Sequence, residues 1–110
     1  MDQVQLDTSV GYALKRAQAA LRRAMDAELR RYALSVPQYS CLELLAQRPA
    51  ISNADLARGV FVTRQATHQL LAGLRAAGLV TSTGRGRSES FSITDAGAQR
   101  LTKASRAVAS

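Results

Sequence analysis

The sequence has one cysteine, one histidine and no tryptophan. A single thiol, Cys41, excludes an internal disulfide. With the single imidazole, His68, it also argues against a protein-only zinc site, which needs three or four ligands. Aromatic residues make up only 5% of the chain, so aliphatic residues and alanine must build the core. No apolar run approaches the roughly 20 residues that a membrane span requires. The N-terminus, MDQVQLDTSVGYALKRA, lacks the basic start and apolar block of a secretory signal. A cytoplasmic chain with no membrane partner is expected. Catalytic sets are missing too. Helical spacing gathers no Ser/His/Asp group, and there is no glycine-rich phosphate loop and no pair of carboxylates in a plausible cleft. Neither enzyme activity nor a cofactor is expected.

What remains is one domain's worth of sequence: 110 residues, 46% of them hydrophobic, with a net charge of +7. A chain this small and this basic favours polyanions, nucleic acid before anionic membrane. The charge is unevenly placed. From Leu56 to Ser88 there is no Asp or Glu, while Arg58, Arg64, Arg75, Arg85 and Arg87 fall in that stretch.

Hydrophobic periodicity predicts a long first helix from Val4 to about Ala33. Leu6, Val10, Ala13, Leu14, Ala17, Leu21, Met25, Leu29 and Tyr32 recur at helical spacing and form one stripe. Lys15, Arg16, Arg22, Arg23, Arg30 and Arg31 fall opposite, as a solvated face. A stripe of that length needs a partner, and a neighbouring chain is a good candidate. A second helix follows in SVPQYSCLELLAQRP. Ser35 and Gln38 have capping-box spacing, Pro37 is tolerated in the first turn, and Pro49 stops the helix. Tyr39, Leu42 and Leu45 should face inward with Cys41 and Leu44 beside them. A sensor thiol needs exposure and a lowered pKa. Cys41 has no positive neighbour in sequence and reads as a buried structural residue.

ISNADLARGV reads as a short third helix, capped by Ser52 with Asp55 three positions on and ended by Gly59. Three residues, 60–62, then separate it from the next cap, Thr63. Helix, tight turn, helix is the helix-turn-helix pattern. The fourth helix spans residues 63–77, and Gly78 suits the left-handed position after its end. On a helical wheel Ala66, Leu70, Gly73, Leu74 and Ala77 make the inner face. Arg64, His68 and Arg75 point away, with Gln65 and Ala72 on one flank, Leu71 on the other and Thr67 near the margin. An ordinary surface helix would carry Glu and Lys pairs there. These side chains instead match the donor and acceptor pattern of base edges in a major groove. Thr63, Arg64, Gln65 and His68 are the candidate groove-facing residues, and Thr67 and Arg75 complete the candidate DNA-binding set on this helix. The hydroxyl of Thr63 has the competing use of capping the helix.

Two short strands, LVTS and ESFSIT, flank a tip at residues 83–88. Arg85 and Arg87 sit there beside glycines, where they stabilise little in the fold but suit a narrow minor groove. Thr94 caps a last helix. The fold class expected is mainly α with a small β-hairpin.

The run SNADLARGVFVTRQATHQLLAGLRAAGLV, followed by GRGRSESFSITDAG, resembles the MarR family of winged helix-turn-helix transcription regulators over roughly Leu34–Leu101. The resemblance implies a homodimer on a pseudo-palindromic double-stranded operator, with helix 63–77 in the major groove and wing 83–88 in the minor groove. It implies a repressor, relieved by oxidation or by a small phenolic or other aromatic effector. Residues 1–33 would be the dimerisation helix, 34–94 the winged helix-turn-helix and 95–110 a terminal helix. The family's wing commonly has an Asp two positions before its Arg. Here Arg85 stands there, so the wing is expected to be more basic and less ordered. Family members usually continue into further dimerisation helices, whereas this sequence ends at Ser110, 16 residues after Thr94. Two readings follow from that ending. One is a short member that dimerises through its first helix. The alternative is an interaction or anti-regulator module that pairs with a related regulator and binds DNA only non-specifically.

Overall fold

The computed structural model describes residues 3–60 and 62–109, with side-chain surroundings from residue 8 onward. Its first helix, α1 (Gln3–Arg30), ends three residues before the expected boundary at Ala33. Ala33 takes a left-handed φ of 57°. That turn lets Leu34 N–H reach Leu29 O at 3.1 Å and Ala33 N–H reach Arg30 O at 3.0 Å. These two bonds satisfy carbonyls that a helix end leaves open, and the buried pair Leu29 and Leu34 closes the turn with an apolar contact. The fourth helix, α4 (Arg64–Ala76), ends by the same device. Gly78 has φ 77°, Leu79 N–H reaches Leu74 O and Gly78 N–H reaches Arg75 O, both at 2.9 Å. The expected role of Gly78 holds.

The second helix, α2 (Val36–Gln47), carries the capping box. Gln38 N–H donates to Ser35 Oγ at 3.2 Å, and Ser35 N–H donates to Gln38 Oε1 at 2.9 Å. Tyr39, Cys41, Leu42 and Leu45 are its buried residues. Cys41 is 0% exposed, and burial pushes its thiol up to about 12. The third helix, α3 (Asn53–Val60), is capped by Ser52, whose hydroxyl accepts from Asp55 N–H at 3.2 Å.

Gly59 does not end this helix. It lies within it, and a Cβ there would run into Leu44 Cδ2. Its missing side chain serves the close approach of α3 to α2. Ahead of α3 a two-residue strand, β1 (Ile51–Ser52), pairs with β3 (Ser90–Ile93), and β3 pairs with β2 (Val80–Thr83). The hairpin is therefore part of an antiparallel sheet ordered β1-β3-β2. Phe91 lies opposite both Ile51 and Ser82 and is 3% exposed.

The last helix, α5 (Asp95–Ala109), is capped by Thr94 and packs against α1 and α2. Tyr39 and Ser105 join α2 to α5 through their hydroxyls at 3.0 Å. Thr94 makes a three-way joint. Its hydroxyl accepts from Gly97 N–H at 3.1 Å and donates to Gly78 O at 2.7 Å, while its N–H donates to Leu79 O at 3.0 Å. The end of α4, the edge of the sheet and the start of α5 are thereby tied together.

Most of α1 projects away from this body, and the molecule measures 60 × 31 × 20 Å. Leu29 is fully buried, whereas Val10, Leu14 and Leu21 are each more than half exposed. Leu6 lies outside the described side chains. The apolar stripe thus joins the domain core only at its C-terminal end. Among the described residues, no helix is long and apolar enough to cross a membrane.

Candidate nucleic-acid interface

The packing of α3 against α4 fixes how α4 is turned. Thr67, Leu71 and Leu74 are its buried residues. Their spacing of four and three is an ordinary inner stripe. It lies about 80° around the helix from the face expected on the wheel. Gly73 and Ala77, expected inside, are exposed, and Leu70 and Ala66 are half-buried. Leu71, expected on a flank, is 2% exposed.

Thr67 explains the error. It is 1% exposed, yet its hydroxyl donates to Thr63 O at 2.9 Å. A threonine that bonds the carbonyl one turn back can be buried without an unsatisfied polar group. Thr67 is therefore a core residue and not part of the exposed surface. Because the acceptor is a backbone carbonyl, which any residue at 63 would supply, no spacing in the sequence marks this bond. Replacing Thr67 by valine should cost about 0.5–1.5 kcal/mol of stability, the net worth of one hydrogen bond. Preference among DNA sequences should not change. A loss of preference as large as that of a base contact, measured by anisotropy titration, would show that the hydroxyl reaches DNA after all.

The other candidates are at the surface. Thr63, Arg64, Gln65, His68 and Arg75 are all exposed. Thr63 caps α4, accepting from Ala66 N–H at 3.0 Å. That bond occupies the hydroxyl as an acceptor while its donor stays available. On the rotated helix the outward midline runs between Gln65 and Gln69, with Ala72 and Ala76 further along it. Arg64, His68 and Arg75 line one flank, next to the buried Leu71. Gln69 is exposed and was missed because the assumed wheel placed it beside the core.

Arg64 and Arg87 come together. They border a cleft of about 430 Å³ whose other walls are Ser52, Asn53, Ala54, Gly86 and Glu89. The start of α3, the start of α4 and the wing therefore meet at one place. Arg75 is elsewhere, 11 residues and about 16 Å further along α4 from Arg64. Arg85 is exposed at the wing tip and does not line the cleft. Arg58, also on the basic stretch, is paired with Asp55. That guanidinium and the Ser52 hydroxyl hold the Asp55 carboxyl below its ordinary range.

The tip is organised without the Asp that the family pattern has. Ser88 Oγ donates to Arg85 O at 2.8 Å, and Ser88 N–H and Glu89 N–H donate to Arg85 O and Gly86 O, both at 3.1 Å. These bonds form a 3-10 turn over Gly86–Ser88. Gly84 has φ 81°, and a Cβ on it would lie 2.5 Å from Ser88 O. Only glycine fits there. The tip is a closed turn in which Ser88 supplies hydrogen bonds where the family pattern has the Asp.

Comparison with known proteins gives consistent relatives. A model of the MarR family matches residues 34–88. The HTH-type transcriptional repressor Rv2887 of Mycobacterium tuberculosis (strain ATCC 25618 / H37Rv) is 39% identical over 105 residues, which are 93% of this chain and 75% of the repressor. The crystal structure of Rv2887 in complex with DNA superposes with a TM-score of 0.77 at 36% identity, covering 89% of this chain and 74% of that one. The transcriptional repressor CouR bound to a 23-mer DNA duplex gives a TM-score of 0.87 at 28% identity, covering 100% and 80%, and CouR has also been solved bound to p-coumaroyl-CoA. With a family model across half the chain and a relative across nearly all of it, the chain belongs to the MarR family of DNA-binding transcription regulators.

Proposed function

We propose that this chain is a sequence-specific repressor that binds double-stranded DNA as a homodimer, with α4 in the major groove and the wing in the minor groove. The observation that carries this reading is the joining of Arg64 and Arg87 across one cleft, at the edge of an exposed helix face that has no acid. A duplex lying against α4 would meet the wing arginines with the same approach. The contacts proposed are Thr63, Arg64, Gln65, His68 and Arg75 from α4, and Arg85 and Arg87 from the wing. The helix start adds free N–H groups that favour phosphate. Rv2887 and CouR are named repressors and have been solved with DNA, which supports the same role here. No catalytic activity goes with it, and a cytoplasmic site of action does.

Dimerisation is proposed through residues 1–33. Val10, Leu14 and Leu21 recur on one side of α1, and each is more than half exposed. The winged helix-turn-helix is residues 34–94, and α5 packs behind it. For an effector, the CouR complex supports a small aromatic-bearing ligand. The cleft best suited to an anionic one lies between the turn after α1 and α5, where Arg31, Arg100 and Lys103 surround Tyr32.

The test is a titration of wild type and variants against a selected operator and a scrambled duplex. Arg64→Ala or Gln65→Ala should each relax operator preference by about 1–3 kcal/mol for every base edge no longer read. Arg87→Ala should weaken both duplexes with a smaller loss of preference. Full operator discrimination by the α4 variants would reject the assignment.

A further inference from the structure

We infer that Gln69 is a second base-reading residue and that it works as a pair with Gln65. The inference rests on the regulator reading above and adds a specificity determinant to it. With Thr67, Leu71 and Leu74 turned into the core, Gln65 and Gln69 lie within about 30° of the outward midline of α4. Both are exposed, and among the described residues neither side chain has a hydrogen-bond partner. Both fall in the first two turns, the part of a recognition helix that enters the groove most deeply. Ala72 and Ala76 continue the same line with methyl groups only. A helix whose outermost line is two amides followed by two alanines can seat closely, with the amides as its longest outward groups.

The chemistry of an amide sets what is read. Glutamine offers a donor and an acceptor together, the complement of adenine N6 and N7 in the major groove. Four residues separate the pair, about 6 Å along the helix axis. Base pairs stack every 3.4 Å or so. The two amides therefore reach base pairs one or two steps apart, according to how steeply the helix lies in the groove. The half-site is inferred to contain two A·T pairs at that separation, one owed to each glutamine. Because both side chains are neutral, neither contributes to the release of counterions from phosphate.

The experiment begins with a duplex selected by the wild-type chain from a randomised pool. Each base pair of the half-site is then replaced in turn. Binding of wild type, Gln65→Ala and Gln69→Ala is measured at several salt concentrations. Wild type should lose about 5- to 150-fold on replacement of either A·T pair. Gln69→Ala should be indifferent to one of these replacements and keep the other penalty, and Gln65→Ala should show the converse. The slope of affinity against salt should match wild type in both. Gln69→Ala places the best helix former at an exposed site, so folding is not at risk. If Gln69→Ala keeps every positional penalty, or weakens all duplexes equally, Gln69 does not read bases while the regulator reading stands. If wild type enriches no sequence from the pool, both readings fall.

Discussion

Gly97→Ala should destabilise the fold by about 3 kcal/mol, although alanine ordinarily improves a helix interior by about 1 kcal/mol over glycine. The added Cβ would overlap Leu79 O and lie 2.8 Å from Ile93 Cγ1. Leu79 O is held in place because it accepts from Thr94 N–H at 3.0 Å. The clash therefore falls on backbone that two elements share, and a side-chain rotation cannot relieve it. Gly11 supplies the control within the same molecule. It lies on the exposed part of α1, and a methyl group added to it would have nothing within 4 Å. Gly11→Ala should therefore stabilise by about 0.5–1 kcal/mol. Urea denaturation of the two variants should give midpoints that move in opposite directions with similar slopes. A Gly97→Ala variant as stable as wild type would mean that α5 can lift from the sheet at no cost.

The second large effect concerns the exposed stripe of α1. Leu14 and Leu21 are 57% and 63% exposed and stand two turns apart on one side of the helix. Both side chains are more exposed than buried, although Leu21 borders a cleft with Ala107 and Val108 of α5, so changing both to glutamate should leave the fold intact at a small cost in stability. On the dimer reading, it places four like charges in the seam between two copies. Sedimentation should then give a species near the 11.8 kDa of one chain. Affinity for a duplex with two half-sites should fall by about 10²- to 10⁴-fold, because the second half-site is no longer bound intramolecularly. Affinity for a single half-site should be unchanged. A double variant that still sediments as a dimer would move the interface away from this stripe.

The parts of this fold legible in the sequence are those fixed by one residue and its near neighbours. Ser35 with Gln38, Ser52 with Asp55, Thr63, Gly78 and, in its capping of Gly97 N–H, Thr94 act within a few positions of themselves, and each marks its helix end. Where the outcome depends on a distant partner, the sequence is silent. β1 has two residues and no pattern of its own; it exists because β3 presents an edge to it. Gly59 looks like a terminator until Leu44 of α2 is brought beside it. Ala33 adopts a conformation usually left to glycine, held there by Leu29 and Leu34 in the core.

The site shows the same division. The acid-free basic stretch and the exposed Arg64, Gln65, His68 and Arg75 are readable from composition and helical spacing. The rotation of α4 is not, because it turns on Thr67, a residue whose letter says polar and whose hydroxyl is spent on its own backbone. That one residue put Leu71 on the wrong side and hid Gln69. The meeting of Arg64 with Arg87 needs the sheet to fold the wing back toward α3.

Cys41 has a use that has nothing to do with regulation. It is the chain's only thiol, it is 0% exposed, and it stays protonated up to about 12. Thiol reagents attack the thiolate, so labelling of the native protein waits for the core around α2 to open. The rate of modification should then follow those openings under native conditions. The unaltered chain thus carries a clock for its own excursions from the folded state, one that can be read with and without DNA bound.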